Sequence, residues 1–307
     1  MPARGPILIT GGHRSGTGWV GEMLAATPSP SLAYIWEPFS LRARRGIRDV
    51  DLRHWFTLVT EANEAGIRAA IEDVLAFRYH PASELLRIRS PKDAGRMLRD
   101  WTRTARWRRR DAVPLLKDPI ALFSAGWLAD TFSMDVVVLI RHPAAFVNSL
   151  MRKGWDHPFS HFTEQPELMA QLEPYRHELE RFAAHEQPLF DQAVLLWLVI
   201  HERIHTYERR RPWTFLRHED VSREPVARFR ALYDTLGLTW TDGVRATIEA
   251  HSGAGNPGDT DDPAAHRRES AAVITSWKRH LSSDEIRTIR SRTEELAARW
   301  YEDDDWA

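Results

Sequence analysis

A short apolar run, Pro6-Ile-Leu-Ile-Thr-Gly, leads into Gly11-Gly-His-Arg-Ser-Gly-Thr-Gly and then into a helical pattern from Trp19 to Ala26. Strand, glycine turn and helix in that order constrain the fold more than any other feature of the chain. Such a turn aims free backbone N–H groups and the positive end of a helix at one point, where an anion can sit. Glycines also serve close packing at strand-to-helix turns, so the turn does not identify a site by itself.

The rest of the chain repeats the alternation. Strand patterns recur at Leu32–Trp36, Val113–Leu116, Val136–Ile140 and Trp213–Leu216, and helical patterns at 120–132, after Pro143, at 189–210, at 226–236 and between Ser282 and Trp300. Strands that are apolar throughout, separated by helices, imply a parallel sheet covered on both faces. The fold class is therefore α/β: a P-loop-like parallel central sheet flanked by helices, in one domain spanning residues 1–307. Two stretches, 42–110 and 155–185, fit no strand–helix repeat and are expected to be helical or loop insertions. Residues 252–263, rich in Gly, Asp and Pro, read as a loop.

Composition narrows the function classes. Lys+Arg 42 against Asp+Glu 43 gives a formal charge of -1, which excludes a surface built as a whole to hold nucleic acid. Any anion site must be local. Zero cysteines exclude disulfides, thiolate metal sites and a cysteine nucleophile. The longest apolar run, Ala193–Ile200, falls far short of the ~18 residues of a membrane span, and the run at Ile7–Ile9 is too brief for a signal-peptide core. A cytoplasmic protein is expected. Lysine is rare, with only Lys92, Lys117, Lys153 and Lys278 against 38 arginines, so each lysine marks a segment worth inspecting.

A second element can complete the first turn. In Val136-Val-Val-Leu-Ile-Arg-His-Pro-Ala-Ala-Phe-Val-Asn-Ser, Arg141 closes a buried strand at the carboxyl end, where open α/β sheets place ligands, and Ser149 follows on a helix. The pair Arg14-Ser-Gly-Thr and Arg-x-Pro-x-x-x-x-x-Ser resembles the sulfotransferases that use 3′-phosphoadenosine 5′-phosphosulfate (PAPS), and most closely the carbohydrate and tyrosylprotein branches. The resemblance implies that Arg14, Ser15, Gly16, Thr17, Gly18 and Trp19 hold the 5′-phosphosulfate, and that Arg141 and Ser149 hold the 3′-phosphate. Ala33-Tyr-Ile-Trp-Glu-Pro is similar to the segment that carries an acidic base in several branches, which implies that role for Glu37. Leu116-Lys-Asp-Pro resembles the strand end whose lysine contacts the transferring group, here Lys117. Leu216-Arg-His-Glu-Asp-Val resembles the family's R-Y-E-D-L segment with His218 in place of tyrosine. Arg267-Arg-Glu-Ser through Trp277-Lys278 resembles the loop and helix that close over the nucleotide, which implies contacts from Arg268, Ser270 and Lys278. Pro119 stands where cytosolic relatives carry a histidine base, so the base must come from elsewhere.

The resemblance implies sulfuryl transfer from PAPS to an acceptor hydroxyl of a carbohydrate or other small metabolite, without a metal, with the insertions 42–110 and 155–185 on the acceptor side. Glu37, Arg14 and Lys117 are the expected catalytic groups. Three other readings remain open on sequence. His201-Glu-Arg-Ile-His205 satisfies H-E-x-x-H and would make a zinc metalloprotease if a third ligand stood near. Gly11 and Gly16 fit the glycines of an ATP P-loop, although Thr17 occupies its lysine position, which disfavours a kinase. Residues 87–110 carry ten basic side chains against Asp93 and Asp100 and could form a polyanion-binding face. The 13 tryptophans, more numerous than the 12 phenylalanines, offer stacking surfaces, with Trp19, Trp36 and Trp155 nearest the matched motifs.

Overall fold

Five strands form one parallel sheet in the order β2-β3-β1-β4-β5: β1 (Ile7–Gly11), β2 (Leu32–Trp36), β3 (Val113–Lys117), β4 (Asp135–Ile140) and β5 (Thr214–Arg217). The computed structural model describes residues 4–86, 88–253 and 274–306. The strand residues alternate between two cores, as the period of two requires. Leu8, Leu116 and Val138 enter one core; Ile7, Ile9, Leu115 and Val137 enter the other. This is the expected parallel α/β sheet, buried on both faces.

The helices that cover it are α1 (Thr17–Ala25), α2 (Glu64–Leu75), α3 (Pro81–Leu85), α4 (Pro91–Arg109), α5 (Ala125–Phe132), α6 (Pro143–Lys153), α7 (Ser160–Thr163), α8 (Pro166–Gln171), α9 (Arg176–Ala184), α10 (Leu189–Glu208), α11 (His218–Arg223), α12 (Pro225–Thr235) and α13 (Asp242–Ser252), with a further helix at Ser283–Ala297. Val20 and Leu24 of α1, Phe229 of α12 and Ile248 of α13 fill the core on the side of Ile7 and Ile9. Ile71, Leu128, Phe146, Leu196, Ile200 and Ile289 fill the other. Each fully buried aliphatic side chain there contributes about 1.5–3 kcal/mol relative to exposure.

One departure from the sequence reading has a local cause. The helix expected from Ile120 begins as a 3-10 turn, Pro119–Ser124, because the Asp118 carboxylate accepts from the N–H groups of both Ile120 (3.0 Å) and Ala121 (3.1 Å) and tightens the start. The stretch 42–110 combines loop and helix. It runs irregularly as far as Asn63 and then forms α2, α3 and α4.

The parallel direction puts every strand's carboxyl end on one edge. Gly12–Gly16 follow β1, Glu37 follows β2, Lys117 ends β3, Arg141 follows β4 and His218 follows β5.

Candidate active site

A cavity of about 740 Å³ opens along that edge. Its walls include Arg14, Gly16, Thr17, Gly18 and Trp19 from the glycine turn, Glu37 and Lys117 at the centre, and Arg141 and His218 from the far strands. Trp55, Phe56, Trp155 and His157 close the remaining side. Of the residues expected to bind the donor, Ser15 and Ser149 stand one layer behind this surface.

The glycine turn is shaped by backbone that few side chains tolerate. Gly11 has φ 129°, and a Cβ there would lie 2.3 Å from the Leu139 carbonyl of the neighbouring strand. Gly16 has φ 88°, and a Cβ there would lie 2.5 Å from His218 Nδ1. Gly16 is the residue before α1, which receives no side-chain cap and has no acidic residue in its first turn. The first N–H groups of the helix therefore face the cavity without an intrahelical acceptor. Ser15 is fully buried and its Oγ has no partner among the described residues. A buried unpaired hydroxyl beside unpaired amides suits a tetrahedral anion, because each leaves a donor that costs free energy until filled.

Arg14 itself takes a left-handed conformation, φ 65°. Its Nε donates to Ser149 Oγ at 3.1 Å, its guanidinium lies 5.6 Å from the Trp155 ring centroid, and its carbonyl accepts from Arg141 Nη1. The two elements that sequence reasoning assigned to opposite ends of a nucleotide are thus physically joined: strands β1 and β4 are neighbours, with Gly11 opposite Leu139.

The backbone of Arg141 is clamped from behind. Its carbonyl accepts from Trp197 Nε1 at 2.9 Å, and its N–H donates to His201 Nε2 at 3.5 Å. His201 Nδ1 contacts the Trp197 carbonyl at 2.8 Å, and the two rings stack at 4.1 Å. Burial pushes the His201 imidazole down to about 3, so it is neutral, with Nδ1–H donating and Nε2 accepting. Both nitrogens of the first H-E-x-x-H histidine are committed to backbone, and His205 Nδ1 lies 3.7 Å from Glu208 of its own helix. Among the described residues, no three His, Cys, Asp or Glu side chains converge in a group that could hold a metal. One residue along, the His142 N–H donates to Glu219 Oε1 (3.0 Å), and Tyr301 donates its hydroxyl to Glu219 Oε2 (2.9 Å). Burial raises the Glu219 carboxyl. The acidic residue of the Arg-His-Glu-Asp segment thereby holds the turn that carries Arg141.

At the cavity's centre, Lys117 Nζ lies 2.5 Å from Glu37 Oε1 and 5.0 Å from the Trp36 ring centroid. Trp36 is opposite Lys117 in the β2–β3 register, and the Glu37 N–H donates to the Lys117 carbonyl at 2.9 Å. Glu37 is left-handed, φ 42°. Asp118 secures that turn by accepting the Phe39 N–H at 2.6 Å. The Leu116-Lys-Asp-Pro motif contains Asp118, but its task in this turn comes only from the fold.

An aromatic cluster packs against the glycine turn. His13 packs on Phe146 (ring centroids 5.2 Å apart) and Phe56 (6.0 Å), and His157 packs on Phe162 and Phe56 at 5.0 and 5.7 Å. Burial drives the His13 imidazole down to about 4, with Arg14 adding to the effect, and drives His157 well below the ordinary value. Both are neutral at pH 7. Neither was singled out from sequence, although His13 lies within the glycine turn.

Of the C-terminal residues expected over the nucleotide, Arg268 and Ser270 lie outside the described residues. Lys278 sits in a 3-10 turn, Ser276–Arg279, over the Trp277 ring at 5.3 Å, and is not part of the cavity wall. The basic stretch expected near 87–110 is mostly α4, whose arginines are largely exposed. Among the described residues, no helix is long and apolar enough to cross a membrane.

Comparison with curated protein sequences finds no match. Two solved structures share the fold over nearly the whole of both chains: the sulfotransferase domain from the curacin biosynthetic pathway (14% identity, 97% of this chain and 98% of that one, TM-score 0.52) and the sulfotransferase domain from the Synechococcus PCC 7002 olefin synthase (16% identity, 98% of each, TM-score 0.50). The sequence model of the sulfotransferase family matches residues 6–242, from the first residues of the glycine-turn unit to the start of α13. That span contains the glycine turn, the Lys117–Glu37 pair and Arg141, and it is most of the chain: the protein belongs to the sulfotransferase family.

Proposed function

We propose that the chain moves the sulfuryl group of PAPS to an acceptor hydroxyl bound in the 740 Å³ cavity, the acceptor being a carbohydrate or other small metabolite. The observation that carries this reading is the convergence on one cavity of an uncapped helix N-terminus, a cationic cluster and a Lys117–Glu37 pair. Gly16, Thr17 and Gly18 would hold the phosphosulfate through N–H groups, and the unpaired Ser15 hydroxyl would join them on turning out from behind the cavity surface. Arg141 and Ser149, tied to Arg14, would hold the 3′-phosphate. Trp19, set edge-on against Phe229 at 5.2 Å, lines the same side. PAPS supplies the activated sulfuryl group, and no metal enters the proposal.

The chain's own residues then divide the work. Glu37 accepts the proton of the acceptor hydroxyl at Oε1 or Oε2, a role worth about 10²–10⁴ in rate. Lys117, released from Glu37 as the carboxylate takes the proton, is free to neutralise charge gathering on the leaving phosphate oxygen, and Arg14 adds a second cation. The flanking aromatic wall excludes water from the reacting hydroxyl. The segments 42–110 and 155–185 form the acceptor side, since Arg42, Trp55 and Phe56 come from the first and Trp155, Asp156 and His157 from the second.

Incubation with ³⁵S-labelled PAPS and a panel of sugars, phenols and aliphatic alcohols tests the proposal. Transfer of label to a hydroxyl compound, dependent on Glu37, supports it. Binding of ATP–Mg²⁺ in preference to adenosine 3′,5′-bisphosphate would replace it with the kinase reading.

A further inference from the structure

A second cavity, of about 350 Å³, lies beside the first and shares Trp36 and Arg42 with it. Its floor is apolar, made by Ile47, Val74, Phe77 and Trp107. Its rim is arginine: Arg96, Arg99 and Arg103, one turn apart on α4, stand on the face that looks into it. Most guanidinium groups here are already neutralised. Arg96 pairs with Asp93, and Arg103 pairs at 3.1 Å with Asp100, which also takes Arg44. Arg42 and Arg99 have no carboxylate partner among the described residues.

Two uncompensated guanidinium groups above an apolar floor define a specific ligand chemistry. A neutral hydrophilic molecule would leave the floor unused, and a simple inorganic anion would gain nothing from it. An apolar stem ending in a carboxylate or phosphate satisfies both, since arginine engages such groups with paired N–H donors and the stem removes the floor from water. Because Trp36 and Arg42 border both cavities, one elongated molecule can place its hydroxyl beside Glu37 and its charged end here.

Resting on the sulfuryl-transfer reading above, we infer that the second cavity is an anion subsite for the acceptor, which is an elongated, partly apolar molecule carrying a carboxylate or phosphate held by Arg42 and Arg99. The arginine-rich stretch thereby acts at a defined pocket rather than as a general polyanion face.

Calorimetric titration with octyl phosphate, octanoate and octan-1-ol tests the inference, run with and without saturating adenosine 3′,5′-bisphosphate. The expected result is one saturable site for octyl phosphate or octanoate, with octan-1-ol at least about tenfold weaker. Arg99→Glu should weaken the anion at least about tenfold and Arg99→Lys less than about threefold, with bisphosphate affinity unchanged in both. Equal binding of the anion to wild type and Arg99→Glu, or octan-1-ol binding as tightly as the anions, overturns the subsite. Failure of the bisphosphate to bind would instead sink the donor reading, while the Arg99 dependence measured without it still decides the subsite.

Discussion

Lys117 and Glu37 meet at 2.5 Å because they leave neighbouring parallel strands at the same level, with the Glu37 N–H on the Lys117 carbonyl. The side chains are 7% and 15% exposed, so the pair is largely desolvated and each charge depends on the other. In the proposed mechanism the two side chains hold one another until ligands enter, after which the carboxylate would accept a proton and the cation would meet the leaving group. In that mechanism protonation of Glu37 would weaken the hold as negative charge builds on the donor side.

Replacing Glu37 by Gln keeps the shape and removes the base. Steady-state kinetics should show kcat lower by about 10²–10⁴, while adenosine 3′,5′-bisphosphate binds within about threefold of wild type. Lys117→Met should lower kcat as well, and the double variant should be no worse than the poorer single one, because the two act as a unit. Unchanged kcat in Glu37→Gln removes the base from Glu37.

The clamp behind Arg141 predicts an effect at a distance. Trp197→Phe deletes the N–H that satisfies the buried Arg141 carbonyl, at a cost of about 1–3 kcal/mol in stability. Calorimetry should show affinity for adenosine 3′,5′-bisphosphate falling several-fold, with a much smaller change for a nucleotide that lacks the 3′-phosphate. His205→Ala, by contrast, should leave activity within about twofold, and chelators should have no effect. Loss of activity on chelation would restore the zinc reading of His201-Glu-Arg-Ile-His205.

The sheet and the edge that carries the cavity were legible because four of the strands are short, wholly apolar runs bounded by turns, and a strand buried on both faces leaves that trace in any sequence. The glycine turn, Lys117, Glu37 and Arg141 were legible as residues, but their partners were not. Nothing in the sequence says that β1 lies beside β4, so Arg14 and Ser149 were assigned to separate ends of a ligand although one donates to the other. The same blindness to pairing hid the Lys117–Glu37 bridge. His201 misled for a related reason: H-E-x-x-H records helical spacing, whereas a stacked Trp197 and the Arg141 backbone, which decide its role, come from tertiary packing. The second cavity was invisible because α4 is polar almost throughout and only its packing against α2 residues such as Val74 and the 42–47 loop creates a floor.

Buried neutral histidines set a pH dependence of stability. Burial takes His201 and His142 down to about 3 in the folded chain, against about 6.5 when unfolded. Between those values the unfolded chain binds protons that the folded chain refuses, so stability is complete above about pH 7 and is lost as pH falls. Each of the two should contribute a loss of about 2 kcal/mol between pH 7.5 and pH 5.0. Urea unfolding at both pH values measures it, and His201→Phe should shrink the difference by about that amount. A difference identical to wild type would mean that His201 titrates normally in the fold.

Gly16 offers the most direct test of the turn as an anion cradle. Alanine there must hold φ near 88°, a left-handed conformation that costs about 1 kcal/mol or more for a residue with a Cβ, and its methyl must displace the His218 ring, which sits 2.5 Å from it. Either response shifts the first N–H groups of α1 away from the point on which they converge. Gly16→Ala should therefore lose at least about tenfold in affinity for adenosine 3′,5′-bisphosphate. Adding His218→Ala removes the collision but not the backbone cost, so the double variant should recover part of the loss and no more. Wild-type affinity in Gly16→Ala would show that the nucleotide does not rest on this turn, and the donor assignment of Arg14 through Trp19 would go with it.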